Sequence, residues 1–145
     1  YTREEVFTLV GRQTAEVKMQ GTASGAFNLP EHNAVLLFVT LNKSEKDFSP
    51  STQYNDYLIN DEYFHWQSKN TDSHYNSGGR KYIEQPKTGI KIILFVREEK
   101  KDGFGNTSPF HCFGLVDYVS SHDDFPMNVK WKLQKPAMAQ YLKAI

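Results

Sequence analysis

The sequence predicts an α+β fold in which a curved antiparallel sheet or open β-barrel is flanked by short helices at both ends. Five regions are rich in apolar, β-branched and aromatic residues and have the length of strands. They occupy residues 34–41, 57–59 together with 63–66, 90–97, 110–118 and 127–133. Turn-forming residues separate these regions, which favours hairpin connections and antiparallel pairing.

The most secure strand is the continuous apolar run at 34–41, which is too short for a buried helix. Clusters of Asn, Asp, Gly and Pro at 76–79, 102–106 and 122–126 predict the turns between later strands. Residues 13–33 are rich in Gly, Ala, Asn and Pro, and we expect a loop there.

Short helices are expected at the two ends of the chain. Thr2 and Glu5 have the spacing of a capping box, and an apolar stripe follows them. After Pro136, apolar residues recur at helical spacing, which predicts a short terminal helix.

Length and composition predict one soluble domain over residues 1–145. The formal net charge is zero, which excludes a protein held to nucleic acid by a global basic field. The single cysteine, Cys112, excludes an internal disulfide and fits a cytoplasmic location. Because the chain opens at Tyr1 and has no apolar run of membrane-spanning length, we expect a domain excised from a larger protein.

An aromatic segment carries the functional prediction. Tyr54 and Trp66 lie on either side of a turn at 60–62, so two adjacent strands could present both rings across one cleft. A flat heterocycle would fit between them. Asp56 lies two residues after Tyr54, on the same side of an ideal strand, where its carboxylate could accept from an exocyclic amino group.

Other polar groups of this segment match cytosine, which offers an amino donor beside two acceptors. Gln67, Ser68 and backbone N–H groups could donate to the base, and Tyr57 is a further base-binding candidate. The alternative is that the rings of the segment fill the core of a small sheet, as strand aromatics usually do. Phe64 and Trp66 share one strand face.

Contacts to the DNA backbone are expected from basic residues that flank the aromatic segment in sequence. These residues are Lys43, Lys46, Lys69, Arg80 and Lys81.

The chain resembles the C-terminal domain of proteins that fuse a phospholipase-D-type nuclease to a DEAD-like helicase, typified by SauUSI. The resemblance is carried by Tyr-Asn-Asp-Tyr at 54–57 and Phe-His-Trp-Gln-Ser at 64–68. It extends through residues 36–45, 48–50, 92–98, 113–118 and 126–131. The resemblance implies that the parent protein is an ATP-dependent type IV restriction enzyme of bacterial defence.

This resemblance implies a non-catalytic domain that recognises 5-methylcytosine in double-stranded DNA, covalently linked to its helicase and nuclease partners. The segment also resembles the base-flipping signature of SET-and-RING-associated (SRA) domains, which implies an SRA-like or PUA-like architecture. Tyr54 matches the first ring of that signature, and Trp66 replaces a tyrosine at the second. The signature has its aspartate where this chain has Tyr57, so either Asp56 or Asp61 would read the amino group.

Two other functional classes fit parts of the sequence. Glu98 and Lys100 follow a strand with the carboxylate-x-lysine spacing of metal-dependent nucleases, but no Pro-Asp precedes them. The domain could instead dock other subunits through its aromatic surface, without any methylation preference. The histidines show no paired spacing and Cys112 has no cysteine partner, so we expect no metal site and no cofactor.

Overall fold

A computed structural model of the protein describes residues 5–6, 25–42, 56–69, 71–99 and 108–137. Seven strands form one sheet. Their bounds are Ala26–Leu29 (β1), Ala34–Asn42 (β2), Tyr57–Leu58 (β3), Tyr63–Gln67 (β4), Lys91–Glu99 (β5), His111–His122 (β6) and Asn128–Leu133 (β7). Two short helices, Ser77–Ile83 (α1) and Gln85–Thr88 (α2), lie between β4 and β5, and a 3-10 turn spans Pro30–His32.

The strands are ordered β1-β2-β5-β6-β7-β4-β3, so the described part of the chain forms an open sheet with β1 and β3 at its edges. The predicted α+β fold with an open sheet is confirmed. Pairing is antiparallel except between β2 and β5, which run parallel. That parallel pair was not predicted. It is possible because a long crossover, containing β3, β4 and both helices, connects the two strands.

Two local expectations were wrong. Residues 26–29 form β1 inside the predicted loop, because their apolar side chains Phe27 and Leu29 pack into a buried cluster. The predicted turn at 76–79 is the start of α1, with Asn76 as its N-cap residue. Of the expected N-terminal helix, the described residues Glu5 and Val6 are helical. The expected C-terminal helix and the turn at 102–106 lie outside the described residues.

The sheet buries apolar residues on both faces. The main core packs Phe64, Trp66 and Trp131 with Tyr82 of α1 and the central strands β2 and β5. A second cluster on β1, β2 and β5 includes Phe38 and Phe95, whose rings stack with centroids 5.1 Å apart. Across the described ranges, none of the helices is both long and apolar enough to cross a membrane.

The loop before α1 packs directly against the first turn of that helix, and glycines permit this approach. A Cβ on Gly79 would fall inside contact distance of the Ser73 carbonyl oxygen and the Met127 sulfur. A Cβ on Gly78 would overlap Oδ1 of Asp72. Residues 72–73 and α1 therefore form one tightly packed unit with the start of β7.

We expect Gly79→Ala to lower the free energy of unfolding by about 1–3 kcal/mol, the usual cost of overpacking. The backbone oxygen of Ser73 cannot move away without displacing the loop. Urea unfolding would measure the loss. Ser77→Ala, in the same helix turn and exposed, is the matched control and should change stability by less than about 0.5 kcal/mol. Equal stability of the two variants would contradict the close packing.

Candidate functional site

The described part of the aromatic segment, which begins at residue 56, forms the predicted hairpin. β3 and β4 pair through Tyr57 with His65 and Leu58 with Phe64. Between them, Oδ1 of Asn60 accepts hydrogen bonds from the backbone N–H groups of Glu62 and Tyr63 at 2.8 and 3.0 Å. The side chain of Asn60 thus fixes the turn at 60–62 that the sequence predicted.

Trp66 points into the main core. Its side chain is 6% exposed, and its ring packs edge-to-face against Tyr82 with centroids 5.0 Å apart. Strand alternation places it on the same face as Phe64, which is fully buried. The indole is therefore not presented on an open surface here. Tyr54 lies outside the described residues, so the slot between the two rings stays a prediction.

The polar groups expected to read a base are engaged in the structure. Oδ1 of Asp56 accepts from the backbone N–H of Gln67 at 2.8 Å, and the Gln67 side chain donates to Oδ1 of Asn128 at 2.9 Å. The hydroxyl oxygen of Ser68 accepts from the Met127 N–H at 2.9 Å. These contacts join β3, β4 and the start of β7, which gives all three residues a structural role.

Tyr57 lies on the opposite face of the sheet from the core. Its ring is 44% exposed and stacks on His65 with centroids 4.6 Å apart. Asp61 occupies the exposed turn between β3 and β4. The structure therefore separates Tyr57 and Asp61 from the buried ring of Trp66.

Three of the predicted basic residues gather around the loop before α1. Lys69 is exposed, and its charge and that of Lys81 both act on Asp72. Arg80 forms an exposed ion pair with Glu84, with Nη2 and Oε1 2.6 Å apart. Lys43 and Lys46 lie outside the described residues.

A group of buried polar atoms lies beside these basic residues. Oδ2 of Asp72, the Tyr82 hydroxyl and Nε1 of Trp131 are buried without a hydrogen-bond partner within the described part of the chain. We call these three residues the buried polar cluster. Tyr82 and Trp131 pack edge-to-face with centroids 5.9 Å apart, and the charge of Asp72 acts on Tyr82.

Burial is the largest cause of the pKa shifts of Asp72, Lys81 and Tyr82. It raises the pKa of Asp72 above its ordinary value, although the charges of Lys69 and Lys81 partly oppose the rise. Burial also lowers the pKa of Lys81, whose ammonium donates to Oδ1 of Asn28 at 2.9 Å. The pKa of Tyr82 is raised, mainly by burial and further by Asp72, so its hydroxyl stays protonated. Carboxyl groups whose pKa is raised by burial are enriched at functional sites, so Asp72 is a candidate for ligand binding.

The loop that carries Asp72 is held by Asn76. Oδ1 of Asn76 accepts from the N–H groups of Ser73 and Gly79 at 3.2 and 3.1 Å, and its amide donates to the Thr71 carbonyl. This double cap joins the loop to α1. The position of Asp72 is thereby fixed from both sides of the loop.

A second network joins the same loop to the turn between β6 and β7. His74 contacts Oδ1 of Asp124 through both its backbone N–H, at 2.7 Å, and its Nδ1, at 2.8 Å. Nε2 of His74 lies 2.8 Å from the Ser121 hydroxyl, which lies 2.7 Å from the Tyr118 hydroxyl. We call these four residues the His74 network.

Hydrogen bonds from the backbone and then the side chain of His74 hold the pKa of Asp124 below its ordinary value. A lowered carboxyl pKa stabilises the fold above the pKa of the unfolded chain, and this contribution is lost as pH falls through the folded value. We expect the melting temperature of Asp124→Asn to fall less steeply than that of the wild type below about pH 4. Thermal melts between pH 3 and 7 test this. The exposed Asp61→Asn control should follow the wild type, and identical slopes for all three proteins would contradict the prediction.

Arg97, which directly precedes the proposed nuclease residue Glu98, has a structural role. Arg97 is buried, donates to the Thr40 hydroxyl at 2.8 Å and to the Ser108 carbonyl at 3.1 Å, and lies over the Phe110 ring. Glu98 is exposed, and Lys100 lies outside the described residues. Among the side chains that the structure describes, no group of three or more His, Cys, Asp or Glu could hold a metal ion.

Sequence reasoning missed the buried polar cluster and the His74 network. Asp72 and His74 lie in a run of small and polar residues that is typical of an exposed loop. The available signal was Gly78-Gly79, because paired glycines indicate close approach of another segment as well as a turn.

Comparison with protein families gives one match. The model of the family described as "Domain of unknown function (DUF3427)" matches residues 1–144. A comparison with curated proteins found no match.

Proposed function

We propose, from the premise that the chain belongs to this DUF3427 family, that it binds double-stranded DNA and recognises 5-methylcytosine by base flipping. The flipped base would enter the buried polar cluster. The domain itself performs no chemistry, and it would direct a modification-dependent restriction enzyme, with helicase and nuclease domains in the same polypeptide, to methylated sites. The observation that carries the proposal is that Asp72, Tyr82 and Trp131 each bury a polar atom with no hydrogen-bond partner among the described residues, the latter two within the aromatic core.

The chemical character of these groups complements cytosine. The Watson–Crick edge of cytosine presents one amino donor and two acceptors. The cluster offers a carboxylate acceptor on Asp72, a hydroxyl on Tyr82 and an N–H donor on Trp131. Thymine presents the opposite pattern at its N3–H and O4 positions, so the same set of groups would disfavour it.

Aromatic rings surround the cluster. Trp66, Tyr82 and Trp131 lie with neighbouring centroids 5.0 to 6.3 Å apart at steep interplanar angles. Stacking against such a ring is worth about 1–3 kcal/mol per base, and flipping costs a few kcal/mol. Each buried group that gains a partner recovers roughly 1–3 kcal/mol of desolvation cost. These contributions are comparable to the cost of flipping, so contacts to phosphates must supply the free energy that opens the packed core.

Entry of a base requires the cluster to open, because Tyr82 and Trp131 are fully buried in this structure. The Asp72 loop and α1, which pack against each other as one unit, would have to move together. Lys69, Arg80 and Lys81 border it and would contact the phosphates on either side of the flipped nucleotide. For Arg80, a phosphate would replace the carboxylate of Glu84.

The methyl group adds a small contribution to recognition. One methyl in an apolar pocket is worth about 1–3 kcal/mol, or roughly 10- to 200-fold in affinity. The buried Met127, whose sulfur lies against Gly79, is our candidate for the apolar contact to the methyl group. We therefore expect a measurable but moderate methyl preference in the isolated domain.

The test is a titration of the domain against three otherwise identical duplexes: unmodified, hemimethylated and fully methylated, at one stated salt concentration. We expect methylated duplexes to bind at least about tenfold more tightly. Equal affinity for all three would contradict the proposal and favour a docking module. Magnesium-dependent cleavage of any duplex would favour a nuclease.

A further inference from the structure

We infer that Tyr75 and Phe125 form an aromatic wedge that inserts into the DNA duplex and separates the target base from its neighbours. The inference rests on the proposed function, because it concerns how a base would reach the buried polar cluster. It assigns a role to two residues on adjacent loops that do not contribute to either hydrophobic cluster.

Tyr75 is the most exposed large aromatic side chain that the structure describes. It is 86% exposed, although its neighbours Ser73 and Asn76 are fixed by hydrogen bonds. Its own backbone N–H donates to the Ser73 hydroxyl at 3.2 Å. The ring is thus held away from the protein by an ordered loop.

Phe125 is the second exposed ring, at 61%. Its backbone adopts φ of 54°, in the left-handed region that a bulky L-residue rarely occupies. Such a conformation costs about 1–3 kcal/mol, and burial of the ring does not compensate for it. Strain that presents an apolar ring to solvent points to a partner outside the domain.

The two rings belong to one rigid unit. The bond between His74 and Asp124 joins the residue before Tyr75 to the residue before Phe125. The Phe125 N–H donates to the Asp72 carbonyl at 3.0 Å, and this hydrogen bond ties the second ring to the buried polar cluster. Tyr75 follows Asp72 by three residues, and Phe125 is hydrogen-bonded to Asp72. Both rings are therefore attached to the loop that carries Asp72.

DNA is the partner that fits this arrangement. Apolar side chains inserted between base steps unstack and kink a duplex, and the cost is recovered through additional contacts. The basic residues Lys69 and Arg80 stand near the same loop and would contact the flanking phosphates. Arg80 also donates from Nη1 to the His74 carbonyl, at 3.4 Å, so it is fixed to the wedge loop itself.

The experiment compares two duplexes that carry the same 5-methylcytosine, and each is also prepared with unmodified cytosine at that position. In one the base is paired with guanine, and in the other it faces an abasic site and needs no separation from a partner. We expect Tyr75→Ala and Phe125→Ala each to weaken binding to the paired duplex by about tenfold or more. Binding to the abasic duplex should weaken by less than about threefold. Leu115→Ala, an exposed apolar position on β6, is the control and should leave both affinities unchanged.

The outcomes separate this inference from the proposed function. An equal loss of affinity on both duplexes, or no loss on either, would overturn the wedge. The proposed function would still stand if the wild type prefers the methylated duplexes. A wild-type domain without methyl preference on either duplex would overturn the proposed function itself. Thermal melts of the variants, together with retention of binding to the abasic duplex, show that they fold.

Discussion

Replacing Asp72 by asparagine is expected to raise the thermal stability of the domain at neutral pH and to weaken its binding to methylated duplex. The side chain is 2% exposed, and one carboxylate oxygen has no partner in the described residues. Burial raises the pKa of Asp72, so the folded state disfavours its ionised form. Asparagine has nearly the same shape but carries no charge.

The sign of the pH dependence follows from that shift. Below the pKa that Asp72 has in the unfolded chain, its carboxyl group is protonated in both states and does not change the free energy of unfolding. As pH rises, ionisation penalises the folded state, and the penalty is complete above the folded pKa. The stability gain of Asp72→Asn should therefore be absent at low pH and largest near pH 7. Each 1 kcal/mol gained would raise the melting temperature by about 2–4 °C in a domain of this size.

Binding should change in the opposite direction. An amide has one acceptor oxygen and no negative charge, so it binds an amino group more weakly than a carboxylate does. We expect a loss of about tenfold in affinity for methylated duplex, within the 1–3 kcal/mol of one base-edge contact. Asp117→Asn, a partly exposed aspartate on β6, is the matched control and should change neither property by a comparable amount. A stabilised variant with unchanged binding would remove Asp72 from the site.

The strands were predictable because their signal is local. The apolar runs that became β2 and β5 are buried on both faces, which produces a continuous hydrophobic stretch in the sequence. Their parallel pairing has no such signal, because it depends on where the intervening segment crosses the sheet. The start of α1 was missed for a similar reason. Its glycines disfavour a helix locally, and only their packing against residues 72–73 explains them.

The sequence prediction placed the site at Tyr54, Asp56 and Trp66, whereas the buried polar cluster consists of other residues. The shared face of Phe64 and Trp66 could have indicated that Trp66 is buried, and the structure places both in the core. The burial of Asp72 could not be inferred, because a carboxylate in a polar loop is usually solvated. Its environment is created by α1, which follows it directly in the chain, and by the segment around Phe125, which is distant in sequence. The site thus depends on tertiary contacts rather than on a linear motif.

The hydroxyl of Tyr82 gives the second large prediction, through its contrast with Tyr118. Both tyrosine rings pack against Trp131. The Tyr82 hydroxyl is buried without a described partner, whereas that of Tyr118 lies 2.7 Å from the Ser121 hydroxyl. Removing the unpaired group should relieve a desolvation cost, and removing the paired one should break a hydrogen bond.

We therefore expect Tyr82→Phe to increase the free energy of unfolding by up to about 1–3 kcal/mol, and Tyr118→Phe to decrease it by about 1 kcal/mol. Affinity for methylated duplex should fall only in the variant that is stabilised. Tyr82→Phe should lose roughly tenfold, because a base acceptor would then face a bare ring edge, whereas Tyr118→Phe should bind like the wild type. Urea unfolding and duplex titration on the same preparations measure both quantities. If Tyr82→Phe is destabilised, an internal water satisfies its hydroxyl, and the unpaired group no longer indicates a ligand. If it is stabilised and binds less, the hydroxyl is retained at a cost to folding because it contacts the base.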